Sequence, residues 1–281
     1  MTGFIKMHGL GNDFVIIDSQ DGDAANLSAK ITEERIKHIC NRHTGVGCDQ
    51  LIILRPSPFE DADIVMDIYN PDGSRAGACG NATRCVADLL CERTGRDAVI
   101  IRTDFGLLEC RKEENGLYTV NMGVPALDWQ SIPLASAMDT RALTADFGAD
   151  FKDFSAPSTV SMGNPHCVFF TPQVPNDAIL TALGRQVEHH PLFPQRTNVE
   201  FITVENRSRL RMRVWERGAG ITAACGSGAC AALVAAVRCG LADRRADLVL
   251  DGGVLTIEWP SDAQGVLMTG PVTRVFEGRL T

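Results

Sequence analysis

Two cysteine–glycine pairs stand out as possible chemistry in this chain: Cys79-Gly80 and Cys225-Gly226. Each sits where a polar, turn-forming stretch gives way to an apolar run, Ala82–Arg93 after the first and Ala229–Cys239 after the second. Such a junction reads as the mouth of a helix. The first turn of a helix offers free N–H groups and the positive end of the peptide dipole, which bind an anion. The same groups ease ionisation of a nearby thiol, whose ordinary pKa is about 8.5. Gly80 and Gly226 let the backbone turn sharply and a ligand come close. Gly80-Asn81 and Gly226-Ser227 therefore read as two donor sets for one carboxylate, with Cys79 and Cys225 flanking the molecule that carries it. Two thiols facing each other across an α-carbon suit a two-base racemisation or epimerisation. One thiolate removes the α-proton and the other thiol delivers a proton to the opposite face. That chemistry needs neither pyridoxal phosphate nor a metal. A nucleophilic cysteine hydrolase would want a Cys–His pair with an orienting group, and the one motif-like histidine is His166 in GNPHC. A dithiol redox centre usually uses CxxC, which is absent.

A single Cys-Gly would read more simply as a buried cysteine at a tight turn. The repetition changes that, and it extends beyond the cysteines. Tyr69-Asn70-Pro71-Asp72-Gly73 precedes the first pair as Trp215-Glu216-Arg217-Gly218-Ala219 precedes the second, at an offset of 146. The apolar runs end at Gly95 and Gly240, Asp104-Phe105-Gly106 matches Asp251-Gly252-Gly253, and Gly123 matches Gly270. Upstream, Gly11-Asn12-Asp13 matches Gly163-Asn164-Pro165, and Gln50 matches Asn198. A period this long means a duplicated domain, not a solenoid or propeller.

The elements that must position these residues follow from local pattern. Phe14–Asp18, Leu51–Leu54, Val99–Arg102, Leu117–Asn121, Val168–Thr171, Arg211–Trp215, Leu248–Leu250 and Val254–Trp259 read as strands. Thr32–Cys40 reads as an amphipathic helix capped by Ser28 or Thr32. The runs after the Cys-Gly pairs are rich in Ala, Leu and Val, the second apolar nearly all round, which marks buried helices. The expected fold is α/β of the α+β type: two pseudo-symmetric domains, each a mixed or antiparallel sheet wrapped around a buried central helix, with the active site in the cleft between them. Pro125–Pro157 carries proline and small polar residues, and the linker is placed near its start.

Composition excludes other classes. The 281 residues are 44% hydrophobic and 22% charged, ordinary globular values that argue against disorder, collagen and coiled coil. A net charge of −8 without a dense basic cluster argues against nucleic acid. No apolar run approaches a membrane span, and the N-terminus lacks a secretory pattern. Ten cysteines without any CxxC disfavour both a disulfide scaffold and a structural zinc site, so most should be buried small hydrophobes in a reducing cytoplasm.

The segments KMHGLGNDF (6–14), GCDQL (47–51), YNPDGSRAGACGNATRC (69–85), SMGNPHCV (161–168), TNVEF (197–201), ERGAGITAACGSGACAA (216–232) and MTGP (268–271) resemble the diaminopimelate epimerase family, in order and over nearly the whole chain. Proline racemase and hydroxyproline epimerase share the architecture but lack the GNPH and GLGNDF blocks in this form. The resemblance implies a cofactor-independent epimerase interconverting L,L- and meso-diaminopimelate, on the lysine and cell-wall precursor route, cytoplasmic and homodimeric. It implies Cys79 and Cys225 as the acid–base pair, with Gly80, Asn81, Gly226 and Ser227 holding the reacting carboxylate. Asn12, Gln50, Asn70, Asn164, Asn198, Glu216 and Arg217 match the substrate pocket, and Arg217 suits a distal carboxylate because its guanidinium fork can bind one in a bidentate manner. His166 and Glu216 match residues that tune the two thiols. Three positions depart from the pattern: Ala82 where glycine is frequent, Ile221 where glutamate is common, and Phe276 where a dimer-contact tyrosine can stand. The segment after MTGP is assigned back to the first domain, giving 1–125 plus 272–281 and 126–271. Three other readings remain: a racemase for another polar amino acid such as histidine, a non-catalytic amino-acid-binding protein, and a dithiol oxidoreductase.

Overall fold

In a computed structural model, described for residues 2–19, 31–151 and 154–280, the chain divides into two compact units. The first comprises Met1–Val120 with Gly270–Thr281, the second Asn121–Thr269. Ser28 lies outside the described residues.

The first unit opens with a hairpin of β1 (Thr2–Gly9) and β2 (Asn12–Asp18). Helix α1 (Glu33–Cys40) then carries the chain to β3 (Gln50–Pro56), which lies parallel to β2 with Phe14 opposite Gln50. Thr32 caps α1 by accepting from the Arg35 N–H at 3.3 Å. Strand β4 (Ile64–Tyr69) returns antiparallel to β3, followed by the short β5 (Arg75–Ala76). Helix α2 (Gly80–Thr94) connects β4 to the parallel β6 (Ala98–Thr103), and β7 (Gly106–Lys112) and β8 (Tyr118–Asn121) complete a meander. The last strand, β17 (Thr273–Leu280), pairs antiparallel with β1.

The second unit repeats this pattern from its hairpin onward, with an isolated bridge between Ala126 and Ser161 where the first unit has β17 against β1. Its hairpin is β9 (Ser158–Ser161) with β10 (Pro165–Phe170). Helix α3 (Asp177–Glu188) leads to the parallel β11 (Asn198–Asn206), where His166 stands opposite Asn198. Strands β12 (Arg209–Glu216) and β13 (Gly220–Ile221) precede helix α4 (Gly226–Arg238). Strand β14 (Arg245–Leu250) is parallel to β12, and β15 (Gly253–Glu258) and β16 (Leu267–Gly270) close the meander. In each unit the strand pairings are mixed, parallel and antiparallel.

The central helices explain the composition of their segments. In α2 nearly every position from Gly80 to Cys91 is buried, against β1, β2, β6 and β7. In α4 the residues from Ala229 to Ala236 are all buried, among β9, β10, β11, β14 and β15. Alanines keep these helices thin enough for strands to pack on several sides. Gly95 ends α2 in the left-handed region at φ 66°, its N–H returning to the Cys91 carbonyl.

The proline-rich stretch from 125 to 157 does more than link. Ile132, Leu134, Leu143, Phe147 and Phe151 enter a cluster with Leu180, Leu183 and Val187 of α3 and the stacked rings of Phe169 and Phe201. Of the ten cysteines, eight are buried, Cys79 is half-buried and Cys239 is exposed.

Candidate active site

Both chemically interesting cysteines are helix N-caps. Cys79 precedes α2 with φ −149° and ψ 106°, Cys225 precedes α4 with φ −120° and ψ 111°, and neither first turn carries an acidic residue. Each thiol therefore stands at a helix mouth to which the helix itself adds no negative charge.

In the first unit, Cys79 Sγ lies 3.8 Å from Asn12 Oδ1, which also accepts from Asn81 Nδ2 at 3.1 Å. Asn12 Nδ2 donates to Asp49 at 2.9 Å, which fixes the amide with its oxygen toward the helix mouth. Asp49 is held in turn by Arg42 at 2.7 Å. Arg42 and Lys6 also pair with Asp13, and although burial opposes it, these cations hold the Asp13 carboxyl well below the usual range. Fully buried Arg84 donates to Asn81 Oδ1 at 2.9 Å. Gln50 Nε2 donates to Asn70 Oδ1 at 3.0 Å, and Asn70 Nδ2 to Ser74 at 3.1 Å. Phe276 stands apart on β17, exposed, its ring edge-on to Phe4 at 5.9 Å.

In the second unit, Cys225 Sγ accepts from the Gly228 N–H at 3.4 Å and lies 3.7 Å from Ser227 Oγ. Glu216 lies close enough for its charge to act on the Cys225 thiol, and its Oε1 accepts from Thr222. Burial pushes the Glu216 carboxyl up, and the Thr222 hydroxyl pulls it partly back. Asn164 Nδ2 donates to Ser227 at 3.4 Å, while its Oδ1 lies 3.0 Å from His166 Nε2. Asn198 bridges the Pro165 carbonyl and the Arg217 N–H, both at 2.9 Å. The exposed Arg217 side chain donates to the Gln195 carbonyl at 3.1 Å and makes no ion pair among the described residues, so its fork remains available to an anion.

One expectation is corrected. The helix mouth alone would lower the Cys225 pKa toward neutral, but the thiol is pushed well above its ordinary value. Burial is the main cause, and the charges of Glu216 and Glu200 add to it. The Gly228 N–H and Ser227 hydroxyl pull the other way and are outweighed.

Several supporting residues were not singled out from sequence. Asp49 orients Asn12, and Arg84 holds Asn81. Buried Glu188 accepts from Trp215 Nε1 at 2.7 Å and the Gly218 N–H at 3.0 Å, clamping the turn that carries Glu216 and Arg217. Fully buried Glu200 lies 2.6 Å from His166 Nδ1. A lone glutamate inside the apolar strand VEFI was the available signal for Glu200.

The architecture is that of a hydroxyproline epimerase from Agrobacterium vitis, solved with trans-4-hydroxy-L-proline bound (TM-score 0.70, 14% identity, 99% of this chain and 90% of that one). The fold thus falls within a class of two-domain α+β proteins that includes epimerases. Within that class, the diaminopimelate epimerase profile matches residues 4–127 and 158–275. The chain is 52% identical to a diaminopimelate epimerase of Rhodospirillum centenum, over 99% of its own length and 92% of the relative's. It is 48% identical to that of Rhizorhabdus wittichii, over 97% and 93%. The chain belongs to the diaminopimelate epimerase family.

Proposed function

We propose that this protein interconverts L,L- and meso-diaminopimelate by a two-thiol mechanism without an organic cofactor. The observation that carries the reading is the recurrence of a cysteine N-cap at equivalent positions of the two units. Family membership supplies the substrate.

In the proposed reaction the α-carboxylate is held by backbone donors at both helix mouths, with Asn81 and Ser227 assisting. The thiolate of one cysteine takes the α-proton, and the electron pair left on carbon delocalises into the bound carboxylate. The thiol of the other cysteine then donates its proton to the opposite face, inverting the centre. Thiol and thiolate have exchanged roles, so the free enzyme must swap a proton before repeating the same direction. Glu216, the carboxyl whose charge acts on the Cys225 thiol, exchanges that proton with it in this reading. Arg217 and the amides of Asn70 and Asn198 serve the distal end of the substrate, where a carboxylate and an ammonium need donors and acceptors together. The working form is a cytoplasmic homodimer, in a compartment where thiols stay reduced.

Incubating the protein with L,L-diaminopimelate in deuterated water and following the α-proton by NMR tests the reading. Deuterium should enter at one α-carbon as the meso isomer accumulates. Preferential turnover of histidine would replace the substrate while keeping the mechanism. Binding without exchange would refute catalysis.

A further inference from the structure

The two units are built alike, yet one buried pair has no counterpart. The equivalent parallel registers, Phe14 opposite Gln50 and His166 opposite Asn198, make Phe14 the counterpart of His166 and Ile52 the counterpart of Glu200. All four side chains are wholly buried. The fold is therefore satisfied by two apolar residues at these positions. A histidine and a glutamate there are not needed to build the sheet, and burying them is unfavourable unless each polar atom is matched.

The matching fixes protons. His166 Nε2 lies 3.0 Å from Asn164 Oδ1, an acceptor, so Nε2 must carry a hydrogen. His166 Nδ1 lies 2.6 Å from Glu200 Oε1, and that contact also needs a hydrogen, on one atom or the other. With only one proton between them, the pair would set two lone pairs against each other. Glu200 and His166 therefore share two protons and are neutral as a pair, which suits a dry interior. Glu200 Oε2 has no hydrogen-bond partner among the described residues, so the carboxyl's polar contact is directed at the imidazole. The other titratable groups facing the pair are Glu216 on β12, Cys225 at the mouth of α4 and Cys167 on β10.

The geometry points to Glu200 as a positioning residue that, through His166, locks the Asn164 amide with its NH2 toward Ser227. Ser227 Oγ then accepts from Asn164, and its own O–H is left to donate at the helix mouth, toward Cys225 or a bound carboxylate. The first unit solves the same problem oppositely. There Asp49 takes the Asn12 NH2, and the amide oxygen faces Asn81 and Cys79. The two asparagine counterparts thus present a donor in one unit and an acceptor in the other.

This inference rests on the proposed function only for its kinetic arm. The test compares Glu200→Gln, Glu200→Ile and His166→Phe with the double variant Glu200→Ile/His166→Phe, which copies the first unit. The amide of Glu200→Gln can donate to Nδ1 and keep the proton on Nε2, so kcat/KM should stay within about 10-fold. Glu200→Ile removes that partner and should raise KM about 10- to 100-fold, with a smaller change in kcat. The double variant should lose no more than either single, because the two residues act as one device. Independently of turnover, nitrogen NMR of histidine-labelled protein should find the hydrogen on His166 Nε2. That state should survive in Glu200→Gln and fail in Glu200→Ile. A wild-type His166 with bare Nε2, an unchanged Nε2 signal in Glu200→Ile, or additive losses in the double variant would each overturn the assignment. If Cys79→Ala retained normal turnover, the two-thiol reading would fall while the NMR result stood.

Discussion

At the scale of single residues, the two thiols are predicted to be indispensable and unequal. Cys79→Ala and Cys225→Ala should each lower α-proton exchange by about 10³-fold or more while leaving the protein folded, measured by NMR in deuterated water beside thermal melting. The inequality comes from surroundings: Cys225 shares its pocket with Glu216 and Glu200, whereas Cys79 neighbours the amides of Asn12 and Asn81. Removing the Glu216 charge by Glu216→Gln makes ionisation of Cys225 easier, so its pKa falls and its thiolate fraction at fixed pH rises. Thiolate absorbance, taken as the difference between Glu216→Gln and Glu216→Gln/Cys225→Ala, should therefore appear at lower pH than in the parent pair. An unchanged or higher midpoint would contradict the sign. The cysteines were legible in sequence because duplication printed them twice. Glu200 was not, because its counterpart is Ile52 and no repeat could flag it. The elevation of the Cys225 pKa was invisible too, since it depends on burial among carboxylates distant in sequence.

At the scale of elements, the close approach of α4 to β11 depends on one missing side chain. A Cβ at Gly228 would stand 2.8 Å from Glu200 Oε1, 3.0 Å from Met212 Cε and 3.2 Å from Cys225 Sγ. Gly228→Ala should destabilise the fold by about 1–3 kcal/mol in urea denaturation, through overpacking, and should lower activity more than that loss explains because Cys225 is displaced. Helices α2 and α4 were readable from composition, as runs rich in Ala, Leu and Val after each Cys-Gly pair, the second apolar nearly all round. Their starts were read two or three residues late, because Gly80, Asn81, Gly226 and Ser227 are poor interior residues that belong to the first turn. Helix α3 was passed over although Leu180, Leu183 and Val187 mark its buried face and Asn176 caps it at 3.1 Å. Strand β4 was missed for a different reason: IVMDIY is buried almost throughout, so it shows no alternation.

At the scale of the whole molecule, β17 leaves Val275 and Phe276 exposed on neighbouring positions of a strand paired with β1. Exposed apolar residues on such a strand favour association. Phe276→Arg should convert the proposed homodimer to a monomer in light scattering at micromolar concentration, with the melting point of the monomer as the control for folding. A dimer unaffected by that change would place the contact elsewhere.

The position of β17 also sets an order of events during synthesis. Thr2 pairs with Leu280 and His8 with Thr273, so β1 waits for β17. The unit spanning Asn121–Thr269 is complete in sequence before β17 has been made. A ribosome moving from one end to the other therefore finishes the inner unit first. Until then β1 keeps one side open to any other strand it meets, which makes the nascent chain more vulnerable than the finished protein.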